Sequence, residues 1–314
     1  MPDTNKPLHV AVGVIRDAQN RILITQRAKN AHQGGLWEFP GGKLEAGEAV
    51  QQALARELAE EVGIKVQTAS PLIKINHDYG DRHVLLDVWN VTAFAGQATA
   101  CEGQAMRWID TEQFGAFAFP AANQPIISAA QLPDFYAILE GRSAIEVISN
   151  CRRILATGIK LMQFRAKSLP STDLLSVFEQ VLQLCQQQNV SLLINADLGI
   201  ETDSAQGIHL SSRALLACDQ RPPAYRWVAA SCHNLQELRH AEAIGANFAV
   251  LAPIQATTSH PGVAPLGWDT LASLLECVNL PVFALGGLGQ CDLEKALAAG
   301  AQGIAGISAF LPEV

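Results

Sequence analysis

From residue 135 onward, short apolar runs alternate with stretches of helical pattern, and the runs number eight. They lie at 135–138, 159–164, 191–195, 207–210, 227–231, 248–251, 282–285 and 303–305; helical patterns between them include 174–187, 235–244, 269–277 and 293–299. Parallel neighbours need a crossover of a dozen residues or more, usually a helix, whereas antiparallel neighbours need only a turn. The alternation therefore predicts parallel βαβ units. Eight such units in about 180 residues predict a compact (β/α)8 TIM barrel, with a doubly wound open sheet as the alternative. Few residues follow the eighth run, so its helix is expected to be short or missing.

The first third has a different rhythm. Strands are expected at 9–15 and 21–26, joined by the turn DAQN, and again at 72–77, 84–92 and 106–109. A glycine-rich segment covers 34–48. Residues 49–61 lack Gly and Pro and are rich in Ala, Leu, Glu and Gln, which predicts a helix stopped by Gly63. Residues 115–134 are rich in Ala, Pro, Phe and Gln. A boundary is placed near Gln131, giving domains 1–131 and 132–314.

The helix at 49–61 carries the sharpest chemical pattern. Gly41 and Gly42 precede it, Glu48 stands at its entry, and Arg56, Glu57, Glu60 and Glu61 lie along it. Residues three and four apart share a helix face, and like charges at that spacing destabilise an isolated helix. A divalent cation offsets that repulsion, and Mg2+ or Mn2+ favours carboxylate, water and phosphate oxygens. Arg56 is placed to fix a carboxylate. Glycine at 41 and 42 lets backbone carbonyls approach an ion with no Cβ in the way. For RExxEE alone, a solvated acidic face is the plain alternative. The full string from Gly42 to Ile64, with every position filled, argues against it.

That string is the Nudix box, and residues 8–131 resemble Nudix hydrolases, most of all the MutT-type 8-oxo-dGTP diphosphatases. WEFPGGKLEAGE, ELAEEVGI, DRH at 81–83, EGQ at 102–104 and FPAANQPI at 119–126 carry the likeness. The resemblance implies an α/β/α sandwich and an Mg2+-dependent (or Mn2+-dependent) attack of water at the β-phosphorus of a nucleoside triphosphate. It implies metal ligands at Glu57, Glu60, Glu61 and Glu102, with a carbonyl of Gly41 or Gly42, and support from Glu48. Glu57 is the first candidate for general base and Glu102 the second. Nucleotide contacts are implied at Arg27, His32, Phe39, Asn123 and the backbone of Arg82. An amide at 123 offers both donor and acceptor to a base edge; the plain readings are a turn asparagine and a core phenylalanine.

Residues 132–312 resemble thiamin phosphate synthases and the related TenI-type thiazole tautomerases. GIKLMQFRAK at 158–167, LLIN at 192–195, GIHL at 207–210, SCH at 231–233, ALGGL at 284–288 and GIAGISAF at 303–310 carry it. The resemblance implies a phosphate site on the backbone of Gly286, Gly287, Gly306 and Ser308, with Gln163, Arg165 and Lys167 facing an anion and His233 as an acid/base. Glycines that merely serve tight turns, and a packed histidine, are the plain readings. Synthases place an acidic metal ligand where Ala196 stands, another in the segment that here reads HLSSRALL, and a lysine near His260. Adjacent strand residues face opposite ways, so Asp197 is not expected to replace the lost acid. A barrel that binds a thiazole or pyrimidine phosphate without making thiamin phosphate follows; tautomerase and ligand sensor remain the alternatives.

Net charge is −8 with no Lys/Arg run, a poor match to tight nucleic-acid binding; a nucleotide needs only a metal and a few local donors. The seven cysteines form no CxxC pair, as expected of reduced cytosolic thiols. The N-terminal residues lack an apolar leader. The longest stretch without formal charge, 243–268, holds three prolines and several polar residues, so no membrane partner is expected and the chain reads as cytoplasmic.

Overall fold

The computed structural model describes residues 7–30, 33–80, 82–200, 202, 204–257 and 262–311. The chain divides into two compact units, 1–131 and 132–314.

The first unit contains β1 Leu8–Ile15, β2 Ile22–Gln26, β3 Trp37–Glu38, β4 Gly41–Lys43, α1 Val50–Val62, β5 Lys65–Asp78, β6 His83–Ala95, β7 Met106–Ile109 and α2 Gln124–Gln131. One sheet has the order β4-β1-β6-β5 and a second the order β3-β2-β7. Among the described residues of this unit, β1 and β6 form the one parallel pair. Successive residues of β1 face opposite sides, so Ala11 and Ile15 meet Leu54, Leu58 and Val62 of α1. Val12 and Val14 meet Phe39, Phe114 and Ile126 on the other face. The result is an α/β/α sandwich. Burying a leucine side chain such as Leu54 or Leu58 contributes about 1.5–3 kcal/mol. Gly63 ends α1 in the left-handed conformation, φ 69°, and its N–H donates to the Leu58 carbonyl.

Three elements depart from the sequence reading. β5 starts at Lys65 rather than 72, because its first half is an exposed, polar strand that β6 pairs. β3 and β4 form inside the glycine-rich segment. α2 forms within the proline-containing stretch, where Pro125 falls in the first turn and needs no N–H partner.

The second unit contains β8 Phe135–Leu139, α3 Ala144–Ala156, β9 Leu161–Phe164, α4 Ser171–Gln187, β10 Ser191–Asn195, β11 Gly207–Leu210, α5 Ser212–Leu216, β12 Trp227–Cys232, α6 Leu235–Ala243, β13 Phe248–Leu251, α7 Trp268–Leu275, β14 Val282–Ala284, α8 Leu293–Ala298 and β15 Gly303–Gly306. All neighbouring strands pair in parallel, and β15 returns to β8 to close the barrel. The open-sheet alternative is thereby excluded. Among the described residues, β10 is followed by a 3-10 turn, Ala196–Leu198, and β15 by another, Ser308–Phe310. The interior is filled by Tyr136, Trp227, Phe248 and Phe283, with the Tyr136 and Phe248 rings 5.2 Å apart. Gln163, Asn195 and His209 add a buried polar layer near the C-terminal ends of their strands. Among the described residues no helix is long and apolar enough to cross a membrane.

Candidate active site

In the first unit, β4 and α1 bring the carboxylates together. Glu61 turns inward: Thr25 Oγ1 donates to its Oε1 and the Gly41 N–H to its Oε2, both at 2.9 Å. Gln104, from the loop that carries Glu102, donates to the Glu61 carbonyl at 2.8 Å. Burial pushes the Glu61 carboxyl pKa up, the charge of Glu102 adds to the rise, and the Gly41 and Thr25 donors oppose it.

Arg56 organises the other acids. Its guanidinium donates to both Glu48 oxygens at 3.0 and 2.8 Å, to Glu57 Oε1 at 2.8 Å and to the Lys43 carbonyl at 3.0 Å. Glu60 lies 3.4 Å from Arg56 Nη1 and is largely exposed. Hydrogen bonding from Arg56 holds the Glu48 carboxyl below the usual range. Gly42 has a second role that spacing did not reveal. A Cβ there would stand 2.1 Å from Glu57 Oε2, so its absence lets the Glu57 carboxylate lie against β4.

Sequence reasoning missed Glu38 and Thr25. They are cross-strand partners between β3 and β2. Glu38 forms an ion pair with Arg27. Burial pushes the Glu38 pKa up to about 7; Arg27 opposes the rise and the charge of Glu61 adds to it. A carboxylate between Trp37 and Phe39, and a threonine in an aliphatic strand, were the available signals.

The unit thus gathers negative charge where burial penalises it. Oxygen-rich, mutually repelling carboxylates fit a hard divalent cation. Among the described residues no three acidic, imidazole or thiol groups already converge on one point. Substrate phosphate and water oxygens would complete such a ligand set.

The proposed nucleotide contacts are scattered over several elements. Asn123 is 7% exposed and ends a 3-10 turn that begins after Pro120. Phe39 is buried, its ring stacked on Phe119 at 5.8 Å, so it serves the core. Arg82 is exposed; its carbonyl accepts from the Tyr79 N–H at 3.0 Å. His32 and His260 lie outside the described residues.

The second unit has its own cavity of about 550 Å3 at the C-terminal ends of the barrel strands. Arg165 pairs with Glu140 there. Asp197 accepts from Lys167 at 2.7 Å, Ser211 at 2.8 Å and Arg213 at 3.2 Å. Although burial opposes it, these donors hold the Asp197 pKa down at about 2. Strand alternation does not apply here: Asp197 sits in a 3-10 turn, not a strand, and lines the cavity. His233 Nδ1 lies 3.0 Å from Glu237 Oε2, which also accepts the His233 N–H at 2.7 Å. Gly286 lines the cavity. Gly287, at φ +68°, would put a Cβ 2.4 Å from the Ala256 carbonyl, and Gly306 would put one 2.8 Å from Ala309 Cβ. Ser308 is exposed. A side chain at 287 therefore strikes the neighbouring loop, and substitution there tests packing before it tests anion binding.

A family model described as NUDIX domain matches residues 11–129, and one described as thiamine monophosphate synthase matches residues 135–310. An 8-oxo-dGTP diphosphatase of Escherichia coli (strain K12) is 45% identical over 123 residues, 39% of this chain and 95% of that protein. A CTP pyrophosphohydrolase of the same organism is 36% identical over 118 residues, 38% of this chain and 87% of that protein. A protein of Aquifex aeolicus (strain VF5), named provisionally as thiamine-phosphate synthase 2, is 35% identical over 185 residues, 58% of this chain and 99% of its own length.

Proposed function

Because this chain belongs to the NUDIX family over residues 11–129 and to the thiamine monophosphate synthase family over 135–310, we propose that it hydrolyses 8-oxo-dGTP to the monophosphate and pyrophosphate. Its enzyme class, a hydrolase of phosphoric anhydrides, follows from the first family; the substrate is our inference. The observation that carries it is the Arg56–Glu57–Glu61 arrangement around β4, together with 45% identity to an 8-oxo-dGTP diphosphatase.

Glu57, Glu60, Glu61 and Glu102, with a carbonyl of Gly41 or Gly42, would hold Mg2+ or Mn2+. A divalent ion bound there supplies an acidified water and neutralises charge on the phosphates. Arg56 keeps Glu57 and Glu48 in place. Glu57 takes the proton of the attacking water, with Glu102 the second candidate. The new bond forms from the water oxygen to the β-phosphorus, and the bond to the bridging oxygen breaks, releasing the nucleoside monophosphate. Arg27 engages the nucleotide and Asn123 reads the base edge. The site serves the cytosolic nucleotide pool, in keeping with seven free cysteines.

The 36% identity to a CTP pyrophosphohydrolase favours a cytidine nucleotide as the second reading. The fusion partner suggests a third, a pyrophosphate of thiamin metabolism. Comparing kcat/KM for 8-oxo-dGTP, dGTP, CTP and thiamin pyrophosphate with Mg2+ decides among them. Preference for 8-oxo-dGTP is expected; a higher value for CTP or thiamin pyrophosphate overturns the first reading. Glu57→Gln should lower kcat by about 10²-fold or more, the scale of losing one transition-state electrostatic contact. Unchanged turnover would remove Glu57 from the mechanism.

We infer that the barrel holds a small phosphate ester, supported by Arg165, Lys167 and Arg213 beside Gly286 at its cavity. Asp197 is already satisfied by three donors, which leaves it poorly suited to release pyrophosphate with a metal. Coupling of a pyrimidine pyrophosphate to a thiazole phosphate is expected to fail.

A further inference from the structure

The barrel floor contains a chain of hydrogen bonds whose direction is fixed from one end. The Asp197 N–H donates to Asn195 Oδ1 at 3.1 Å. A backbone N–H cannot reverse its role, so the Asn195 amide must present oxygen to it and nitrogen to its other neighbour. Asn195 Nδ2 accordingly donates to Gln163 Oε1 at 3.1 Å, and Gln163 Nε2 donates to the Tyr136 hydroxyl at 3.2 Å. Tyr136 lies 3.0 Å from His209 Nδ1, and His209 Nε2 lies 2.8 Å from Ser231 Oγ. Tyr136 is fully buried, and Asn195, Gln163 and His209 are at most 3% exposed.

The polarity then propagates. Tyr136 oxygen already accepts from Gln163. If His209 Nδ1 also carried a hydrogen, the buried phenol proton would have no acceptor in the chain, which is unfavourable. Tyr136 therefore donates to Nδ1, and the remaining ring proton sits on Nε2 and points at Ser231. Burial agrees, pushing the His209 pKa down to about 3, so the ring is neutral near pH 7. Ser231 accepts from His209, which leaves its own hydroxyl hydrogen for the cavity it lines.

We propose that Asn195, Gln163, Tyr136 and His209 are positioning residues that fix Ser231 as a hydrogen-bond donor toward the cavity. The cavity then favours a bound molecule that offers an acceptor there, a ring nitrogen or a carbonyl oxygen, over one that offers only N–H, which would leave the hydroxyl hydrogen without a partner.

The test reads the His209 tautomer in full-length protein labelled with 15N-histidine, the resonance being assigned by its loss in His209→Gln. In the wild type at neutral pH, His209 is expected neutral and protonated on Nε2. Protonation on Nδ1, or an imidazolium, overturns the proposal. Asn195→Asp supplies the sharper test. Ionised aspartate accepts from the Asp197 N–H but has no hydrogen for Gln163, so Gln163 turns over and every later bond reverses; burial favours the protonated acid, so the variant is read at alkaline pH. His209 is expected to switch to the Nδ1–H tautomer, and Ser231 to donate inward. A folded Asn195→Asp protein that keeps Nε2–H overturns the relay; if that variant does not fold, the wild-type tautomer still decides. Pyridine, an acceptor, and pyrrole, a donor, serve as probes at high concentration. Pyridine should shift the wild-type His209 resonances more than pyrrole does. A response to pyrrole as large or larger, or to neither, overturns the ligand assignment.

Discussion

At the scale of single residues, the charge state of Glu38 has a measurable consequence. Burial raises its folded-state pKa to about 7, and Glu61 shifts in the same direction. An acid whose folded pKa is raised binds a proton in the folded protein that the unfolded chain has already released. Its stabilising effect is therefore present at low pH and is lost as pH rises through about 7. Without divalent metal, the melting temperature should fall between about pH 5.5 and about pH 8. Glu38→Gln should lessen that fall, and Mg2+ should lessen it in the wild type by favouring the charged carboxylates. Equal falls in wild type and Glu38→Gln would contradict the assignment. Asn123 makes a separate prediction. Its replacement by Ala should reduce the preference for 8-oxo-dGTP over dGTP by roughly 10–100-fold, the effect of losing about 1–3 kcal/mol of buried hydrogen bonding. An unchanged ratio of kcat/KM values would make it a turn residue only. The two residues also differ in how far the sequence exposed them. Asn123 was legible from the segment FPAAN, whereas Glu38 gains its character from cross-strand pairing with Thr25 and from the charge of Glu61, both of which are tertiary facts.

At the scale of elements, β4 shows two adjacent glycines doing different jobs. A Cβ at Gly41, φ +152°, would lie 2.1 Å from the Ala11 carbonyl of β1, which is backbone and cannot yield. A Cβ at Gly42 would meet the Glu57 carboxylate, the end of a flexible side chain. Gly42→Ala should therefore leave the melting temperature nearly unchanged while activity falls toward that of Glu57→Gln. Gly41→Ala should destabilise by about 2 kcal/mol or more, as backbone clashes do. Thermal denaturation beside kcat separates the two, and a Gly42→Ala enzyme of full activity would show that Glu57 need not lie against β4. The pattern of legible elements has the same origin. Barrel strands such as Ser191–Asn195 and Phe248–Leu251 were readable because both faces are buried and the run is short and apolar. β3 and β4 were not, because two or three residues among glycines carry no periodicity. The 3-10 turn at Ala196–Leu198 is too short to carry a periodicity, so strand alternation, applied one step beyond the run at 191–195, did not give the orientation of Asp197.

At the scale of the whole molecule, each unit has the means to fold by itself. The first is built on clusters around Leu58 and Phe39, the second on clusters around Phe178, Leu238 and Phe248, and each cluster draws its members from one unit. The relatives divide in the same way, with 95% of an 8-oxo-dGTP diphosphatase matched in one stretch and 99% of a thiamine-phosphate synthase relative in another. A domain with its own core and no borrowed strand retains most of its stability when excised. Residues 1–131 expressed alone should therefore unfold cooperatively and keep the kcat/KM of the full chain within a small factor, because the carboxylates, Arg27 and Asn123 all belong to that unit. Residues 132–314 should likewise give a cooperative transition and the same His209 tautomer as the full chain, since every residue from Asn195 to Ser231 in the relay is its own. If residues 1–131 fold but lose activity by orders of magnitude, the barrel contributes to hydrolysis, and the two units are functionally coupled rather than merely joined.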